Sequence, residues 1–178
     1  VTITGPGGAG KTTLAIAAAG GHRLDAGFAE LAPARDEATL VRAVATAAGV
    51  EGLRTAGIEP LVERLARRRQ LLVLDNCEHV LDLAATLVEG LLDRAPDVRL
   101  LTTSREPFEV DGEVVHLLGA LRGDSTELFV ERANAVAGGR QRVHADDPQV
   151  VELCRRLDGL PLPIELAAAQ VRHLRVPD

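Results

Sequence analysis

The sequence predicts an α/β protein: an open parallel sheet layered between helices, followed by a smaller unit made of helices alone. Three observations carry that expectation. A glycine-rich loop joins the short alternating run Val1–Thr4 to the alanine-rich stretch Thr12–Ala19. Two short apolar runs, Gln70–Asp75 (QLLVLD) and Val98–Ser104 (VRLLTTS), end in polar residues. Parallel strands buried on both faces have that look when their C-terminal ends carry chemistry. Beyond about Gly123 the strand-like runs stop, and only helical periodicity is left.

Taken in order, Val1–Thr4 reads as the end of a first strand and Thr12–Ala19 as a short helix. Phe28–Leu31 is a weaker second strand. Thr39–Ala48 and Pro60–Arg69 are amphipathic helices, and Gln70–Asp75 is the next strand. Over His79–Arg94, residues Val80, Leu83, Ala84, Leu87, Val88, Leu91 and Leu92 fall on one helical stripe, closed by Pro96. Val98–Ser104 is a fourth strand and Val114–Leu118 a fifth. Such alternation builds a three-layer parallel sheet with helices on both faces. A boundary is expected between Gly119 and Asp124, separating an α/β domain (1–122) from a helical domain (123–178). In the latter, Ser125–Val136 carries Leu128, Phe129, Ala133 and Val136 on one face. Asp147 and Pro148 make an N-cap and a first-turn proline, and Gly159 stops that helix. Pro163 opens a last helix, Ile164–Leu174, with no segment after it to pack on. The helical domain is therefore expected to be incomplete, with Val171 and Leu174 exposed.

The 178 residues are 46% hydrophobic and 26% charged, the balance of a globular chain. A net charge of −6 argues against direct contact with nucleic acid, because phosphate neutralisation needs a basic face. Aromatic residues are 2% of the chain, too few for base-stacking platforms. No run of about 18 apolar residues offers a membrane span, and no secretory leader is recognisable, so a cytoplasmic chain is expected. Cys77 and Cys154 are too few for a disulfide framework and read as small buried fillers. Cys77 and His79 share a segment, but without a second close pair they do not make a zinc site; His22, His116, His144 and His173 are scattered. Arg67-Arg68-Arg69 reads as a solvated helix end favoured by the dipole.

The chemistry concentrates at the first loop. Val1–Thr13 reads VTITGPGGAGKTT, and Gly5, four residues, then Gly10-Lys11-Thr12 match the P-loop pattern in its required strand–loop–helix setting. Glycines at 5, 7, 8 and 10 let the backbone curl and aim its N–H groups at phosphate, and the helix N-terminus adds partial positive charge. Gly5, Pro6, Gly7, Gly8, Ala9, Gly10, Lys11, Thr12 and Thr13 are therefore candidate nucleotide-binding residues. Lys11 would reach the β- and γ-phosphates, and the Thr12 hydroxyl would take Mg²⁺. Lys11 is also the only lysine in a chain that otherwise uses arginine. A planar guanidinium is a poor substitute for a compact ammonium among phosphates. Asp75, at the end of an apolar strand, is the candidate second support for Mg²⁺.

The segments GPGGAGKTTLA, LLVLDNCEHV, LLTTSREPFEVDGE and CRRLDGLPLPIELAAA together resemble the STAND-class, NB-ARC-like signalling ATPases of bacterial SARP- and LuxR-type transcriptional regulators. The resemblance spans nearly the whole chain. It implies a P-loop NTPase that binds ATP or ADP with Mg²⁺ and works as a slow, switching ATPase within a larger regulator. It also implies self-association in the ATP-bound form. Arg105 would then be the sensor arginine on the γ-phosphate, grouped with Lys11 and Asp75 as catalytic residues. Pro161, in Gly159-Leu160-Pro161-Leu162, would pack near the adenine. Two departures stand out. Where related sites often have a second acid after the strand aspartate, this chain has Asn76, which cannot take a proton at neutral pH. Glu78 is a possible substitute, but reads more simply as a solvated acid at a helix start. Pro163 replaces a usual alanine, which a helix start tolerates. A permanently nucleotide-bound, non-hydrolysing scaffold is the main alternative; a small-molecule kinase is weaker, since no arginine-bearing lid interrupts the strands.

Overall fold

The computed structural model describes residues 1–53, 57–121, 123–137 and 143–171. The chain divides into two compact units, one of Val1–Gly5 with Lys11–Leu118 and one of Pro6–Gly10 with Gly119–Asp178.

The first unit is built on five parallel strands, β1 (Thr2–Thr4), β2 (Ala26–Glu30), β3 (Gln70–Asp75), β4 (Val98–Ser104) and β5 (Val115–Leu117). Their order is β2-β3-β4-β1-β5, so β4 is inserted between β1 and β3. Helices α1 (Lys11–Gly20), α2 (Glu37–Ala47), α3 (Ile58–Leu65) and α4 (Leu81–Arg94) cover the sheet. The two-residue period of β3 explains why its sequence is apolar without a break. Leu72 and Leu74 face one way, joining Leu40 and Val44 of α2, Leu61 and Leu65 of α3, and Leu87 and Leu91 of α4. Leu71 and Val73 face the other way, with Ile3 of β1 and Ala15 of α1. Each fully buried leucine contributes roughly 1.5–3 kcal/mol, so the wider face carries most of the hydrophobic stabilisation. This is the three-layer α/β sheet that strand–helix alternation predicts.

Several element boundaries shift for identifiable reasons. α2 starts at Glu37, because Asp36 caps it: the Thr39 N–H donates to Asp36 Oδ1 (2.9 Å) and the Asp36 N–H donates to Thr39 Oγ1 (3.2 Å). α3 ends at Leu65 rather than Arg69. Arg67, Arg68 and Arg69 are exposed, as expected, but lie past the end of α3, and the Arg68 guanidinium donates to the carbonyls of Ala48 (2.6 Å) and Gly49 (2.8 Å), closing the C-terminus of α2. The single helix expected over His79–Arg94 is a 3-10 turn, Cys77–His79, and then α4. Leu92 lies off its buried stripe and is 46% exposed.

The second unit contains α5 (Ser125–Ala137), α6 (Pro148–Arg156) and α7 (Pro161–Gln170). Its core joins Phe129, Ala133, Val143, Val150, Cys154, Ile164 and Ala168. Asp147 caps α6 by accepting from the Gln149 N–H at 2.9 Å, with Pro148 in the first turn, as its sequence predicts. Gly159 takes the left-handed conformation (φ +65°) just past that helix, where a Cβ would stand 2.8 Å from the Leu121 carbonyl oxygen. The last helix opens at Pro161 and not at Pro163. Pro163 sits two residues further on, still in the first turn, where no intrahelical N–H bond is lost. Val171, expected to be exposed, is half-buried against the helical core. His173 and Leu174 lie outside the described residues. No helix among the described residues is long and apolar enough to cross a membrane.

Candidate functional site

In a parallel sheet the C-terminal strand ends open on one edge, and here that edge carries the polar ends of β3 and β4. Asp75 ends β3, is 2% exposed, and its carboxylate is fully engaged. Thr12 Oγ1, on the first turn of α1, donates to it at 2.9 and 3.0 Å, and Thr103 Oγ1 of β4 donates at 2.5 Å. The neighbouring Asn76 Nδ2 donates to Asp75 Oδ2 at 3.0 Å. β1 and β3 are two strand spacings apart, about 10 Å, yet α1 runs back over β4 and delivers Thr12 to Asp75. The pair expected to support Mg²⁺ thus stands together, 63 residues apart in sequence.

Lys11 begins α1 and is 7% exposed, with its ammonium donating to the Gly5 carbonyl at 2.8 Å. Burial holds its pKa below the ordinary lysine value; the nearby Arg105 acts in the same direction, while Glu78 and Asp75 oppose it. An ammonium desolvated in this way gains more from an arriving anion than one in open water. Arg105 follows β4 directly; its side chain is 64% exposed, and its Nε donates to Glu78 Oε1 at 3.1 Å.

Glu78 is the main correction. It is no solvated helix-start acid: its side chain is only 12% exposed, and Oε2 is buried with no hydrogen-bond partner. The turn that carries it is clamped. Asn76 adopts a left-handed conformation (φ 59°), which asparagine tolerates, and its N–H donates to Thr103 Oγ1 at 3.0 Å. Cys77 is fully buried with its thiol on the Leu74 carbonyl (3.4 Å), and burial pushes that thiol's pKa up, so it stays protonated and inert. Thr103 is a further residue of the site that the sequence does not single out. Its only sequence signal is a hydroxyl one residue before the end of a buried strand.

Pro6–Gly10 is described with the second unit. Gly8 has φ +77°, and a Cβ there would stand 2.9 Å from Leu162 Cβ, so only glycine fits. The Leu162 N–H at the start of α7 donates to the Gly8 carbonyl at 3.1 Å, and Pro161 Cγ lies 3.9 Å from where a Gly10 Cβ would be. Pro161 therefore packs against the loop that its sequence motif associates with nucleotide. Pro6 and Gly7 are exposed, Ala9 is buried, and Thr13 is exposed on α1.

Thr12 and Asp75 suit Mg²⁺, a hard cation that takes few protein oxygens and completes its shell with phosphate and water. Among the described residues, no group of three or more histidines, cysteines and acids could hold a metal by itself.

The fold is that of the P-loop ATPases. A solved STAND protein with a tetratricopeptide-repeat sensor, from Pyrococcus horikoshii, matches 94% of this chain with 27% of its own, at a TM-score of 0.59 and 16% identity. The Aeropyrum pernix ORC2 protein, solved as ADPNP–ADP complexes, matches 95% of this chain with 61% of its own, at a TM-score of 0.55 and 16% identity. No family model matches. A Mycobacterium bovis protein provisionally named an HTH-type transcriptional regulator is 40% identical over 179 residues, 98% of this chain. The chain spans about a fifth of the length of that relative.

Proposed function

We propose that this chain is the nucleotide-binding switch module of a larger regulator, holding ADP or ATP with Mg²⁺ and hydrolysing ATP slowly. The observation that carries this reading is the Thr12–Asp75 pair beside a buried Lys11, with Arg105 at the end of the adjacent strand. Lys11 would leave the Gly5 carbonyl for the β- and γ-phosphates, and the amides of Gly5–Thr13 would cradle them. Thr12 and Asp75 would hold Mg²⁺, whose charge, when bound, neutralises the phosphate oxygens. Arg105 has a mostly exposed fork and would tell ATP from ADP by engaging the γ-phosphate. A ligand shifts a switch only through such a differential contact. The Leu162–Gly8 hydrogen bond gives the loop a direct connection to the start of α7, through which Pro161 would report the nucleotide to the helical unit. The ADPNP–ADP complexes of the ORC2 neighbour and the regulator name of the mycobacterial relative support this reading. In the intact regulator, ATP would favour self-association and release of an effector segment outside this chain.

Asn76 favours a second reading, a module that keeps its nucleotide without hydrolysing it, because the position after Asp75 carries no acid and its amide is turned onto Asp75. Titration calorimetry tests the first reading. Lys11→Ala is expected to weaken both Mg·ADP and Mg·ATP by at least about 100-fold, while Arg105→Ala weakens ATP alone by about 2 kcal/mol, roughly thirtyfold. Unchanged ADP affinity in Lys11→Ala would remove the nucleotide assignment, and equal losses in Arg105→Ala would remove the sensor role. Bound ATP that yields no ADP over many hours would select the non-hydrolysing module.

A further inference from the structure

We infer that Glu78, three residues past the strand aspartate, is the group that orients and deprotonates the attacking water in ATP hydrolysis; this rests on the nucleotide-binding reading above. Three observations converge on it. The Glu78 carboxylate is held beside the arginine assigned to the γ-phosphate: Oε1 accepts from Arg105 Nε at 3.1 Å. Its second oxygen, Oε2, is buried and has no hydrogen-bond partner, an uncommon state for a native carboxylate and one that a donor arriving with substrate would relieve. Its mount is rigid, since the turn is fixed by the Asn76 N–H on Thr103, by the left-handed Asn76 backbone, and by the buried Cys77.

Those same contacts remove the adjacent position from the role. Asn76 spends its amide on Asp75 and sends the chain into the 3-10 turn, so the next acid able to face the site is Glu78. When ATP is bound, Arg105 would exchange Glu78 Oε1 for γ-phosphate oxygens, leaving the carboxylate open to a water molecule. The water oxygen then forms a bond to the γ-phosphorus as the bond from that phosphorus to the bridging oxygen breaks. ADP leaves with the electron pair, Glu78 takes the water proton, and that proton passes on to the released phosphate or to solvent. With ADP bound there is no γ-phosphate, and the Arg105–Glu78 pair stays closed. One carboxylate thus serves as the arginine's resting partner and as the water's base.

The test pairs equilibrium binding of Mg·ATP and Mg·ADP with single-turnover hydrolysis of bound ATP, in the 178-residue chain. Glu78→Gln keeps the shape and loses the base. It is expected to bind both nucleotides within about threefold of the unaltered chain, while the single-turnover rate falls at least about 100-fold. Glu78→Asp, which keeps the base on a shorter stem, should recover part of that rate. Hydrolysis by Glu78→Gln within about threefold of the unaltered rate would overturn the assignment. So would a parallel loss of ATP affinity and rate with no recovery in Glu78→Asp, which is the signature of a residue that only holds Arg105. Nucleotide bound but never hydrolysed by the unaltered chain would overturn it as well. Failure of the unaltered chain to bind either nucleotide is a different result, which sinks the nucleotide reading itself.

Discussion

Asp75, Thr103 and Asn76 form a closed circuit in which every polar group depends on another. The Thr103 hydroxyl, which is fully buried, donates to the Asp75 carboxylate and accepts from the Asn76 N–H. Removing it leaves a buried carboxylate short of a donor and a backbone N–H without an acceptor. A hydrogen bond lost in that way costs more than the net value of making one. Thr103→Val, nearly the same shape, is therefore expected to lower stability by about 1–3 kcal/mol. Thr103→Ser, which retains the hydroxyl, should fall well short of that loss. Urea unfolding followed by circular dichroism measures both, and equal losses would show that methyl packing rather than the hydroxyl matters. Asp75 could be anticipated from its strand-end position, but Thr103 could not. A hydroxyl at a strand end has no distinctive pattern until the neighbouring strand is known.

Helix α6 shows the same logic among charges. Glu152 accepts from Arg155 Nε at 2.7 Å, three residues on, and from Arg156 Nε at 2.7 Å, four residues on. Both arginines reach back toward their glutamate, and they lie in the last turn, where the helix dipole also favours cations. The hydrogen bonds from Arg155 and then Arg156 hold the Glu152 carboxyl down to about 2. Its folded pKa lies below its unfolded value near 4.3, so its contribution is complete above that value and fades as pH falls toward 2. The pair is exposed and screened, so the effect on stability is small and the titration itself is the better readout. Carboxyl carbon NMR should find Glu152 still ionised at about pH 3, and near an ordinary glutamate midpoint once Arg155 and Arg156 are both replaced by alanine. Helix periodicity placed α6 and its cap correctly, because those signals are local. The C-terminal end of α3 and the start of α7 differ from the sequence expectation because tertiary partners set them: Arg68 closes α2 instead of extending α3. The Leu162 N–H at the start of α7 meets the Gly8 carbonyl.

Across the whole molecule, the loop Pro6–Gly10 packs with the helical unit although it directly precedes α1 of the sheet unit. Anything that binds only the folded chain stabilises it by mass action, by about 2.7 kcal/mol at 100 times its dissociation constant. Saturating Mg·ATP is expected to raise the melting temperature of the unaltered chain by several degrees. Chelating Mg²⁺ should remove much of that gain, and Lys11→Ala should remove nearly all of it. A shift of equal size in Lys11→Ala would mean that the nucleotide sits elsewhere.

The run VTITGPGGAGKTT determined where a phosphate site would be, and the unbroken apolarity of LLVL determined a strand buried on both faces. Both are signals among neighbours in the chain, written in turn chemistry and in the period of side-chain burial. What the sequence alone left open was which distant residues would meet. Inserting β4 between β1 and β3 set Thr103 beside Asp75 and Arg105 beside Glu78, pairs separated by 28 and 27 residues. A charge pattern along the chain cannot distinguish an acid facing water from one turned into the site. Only strand order decides that, because strand order fixes which polar ends share an edge.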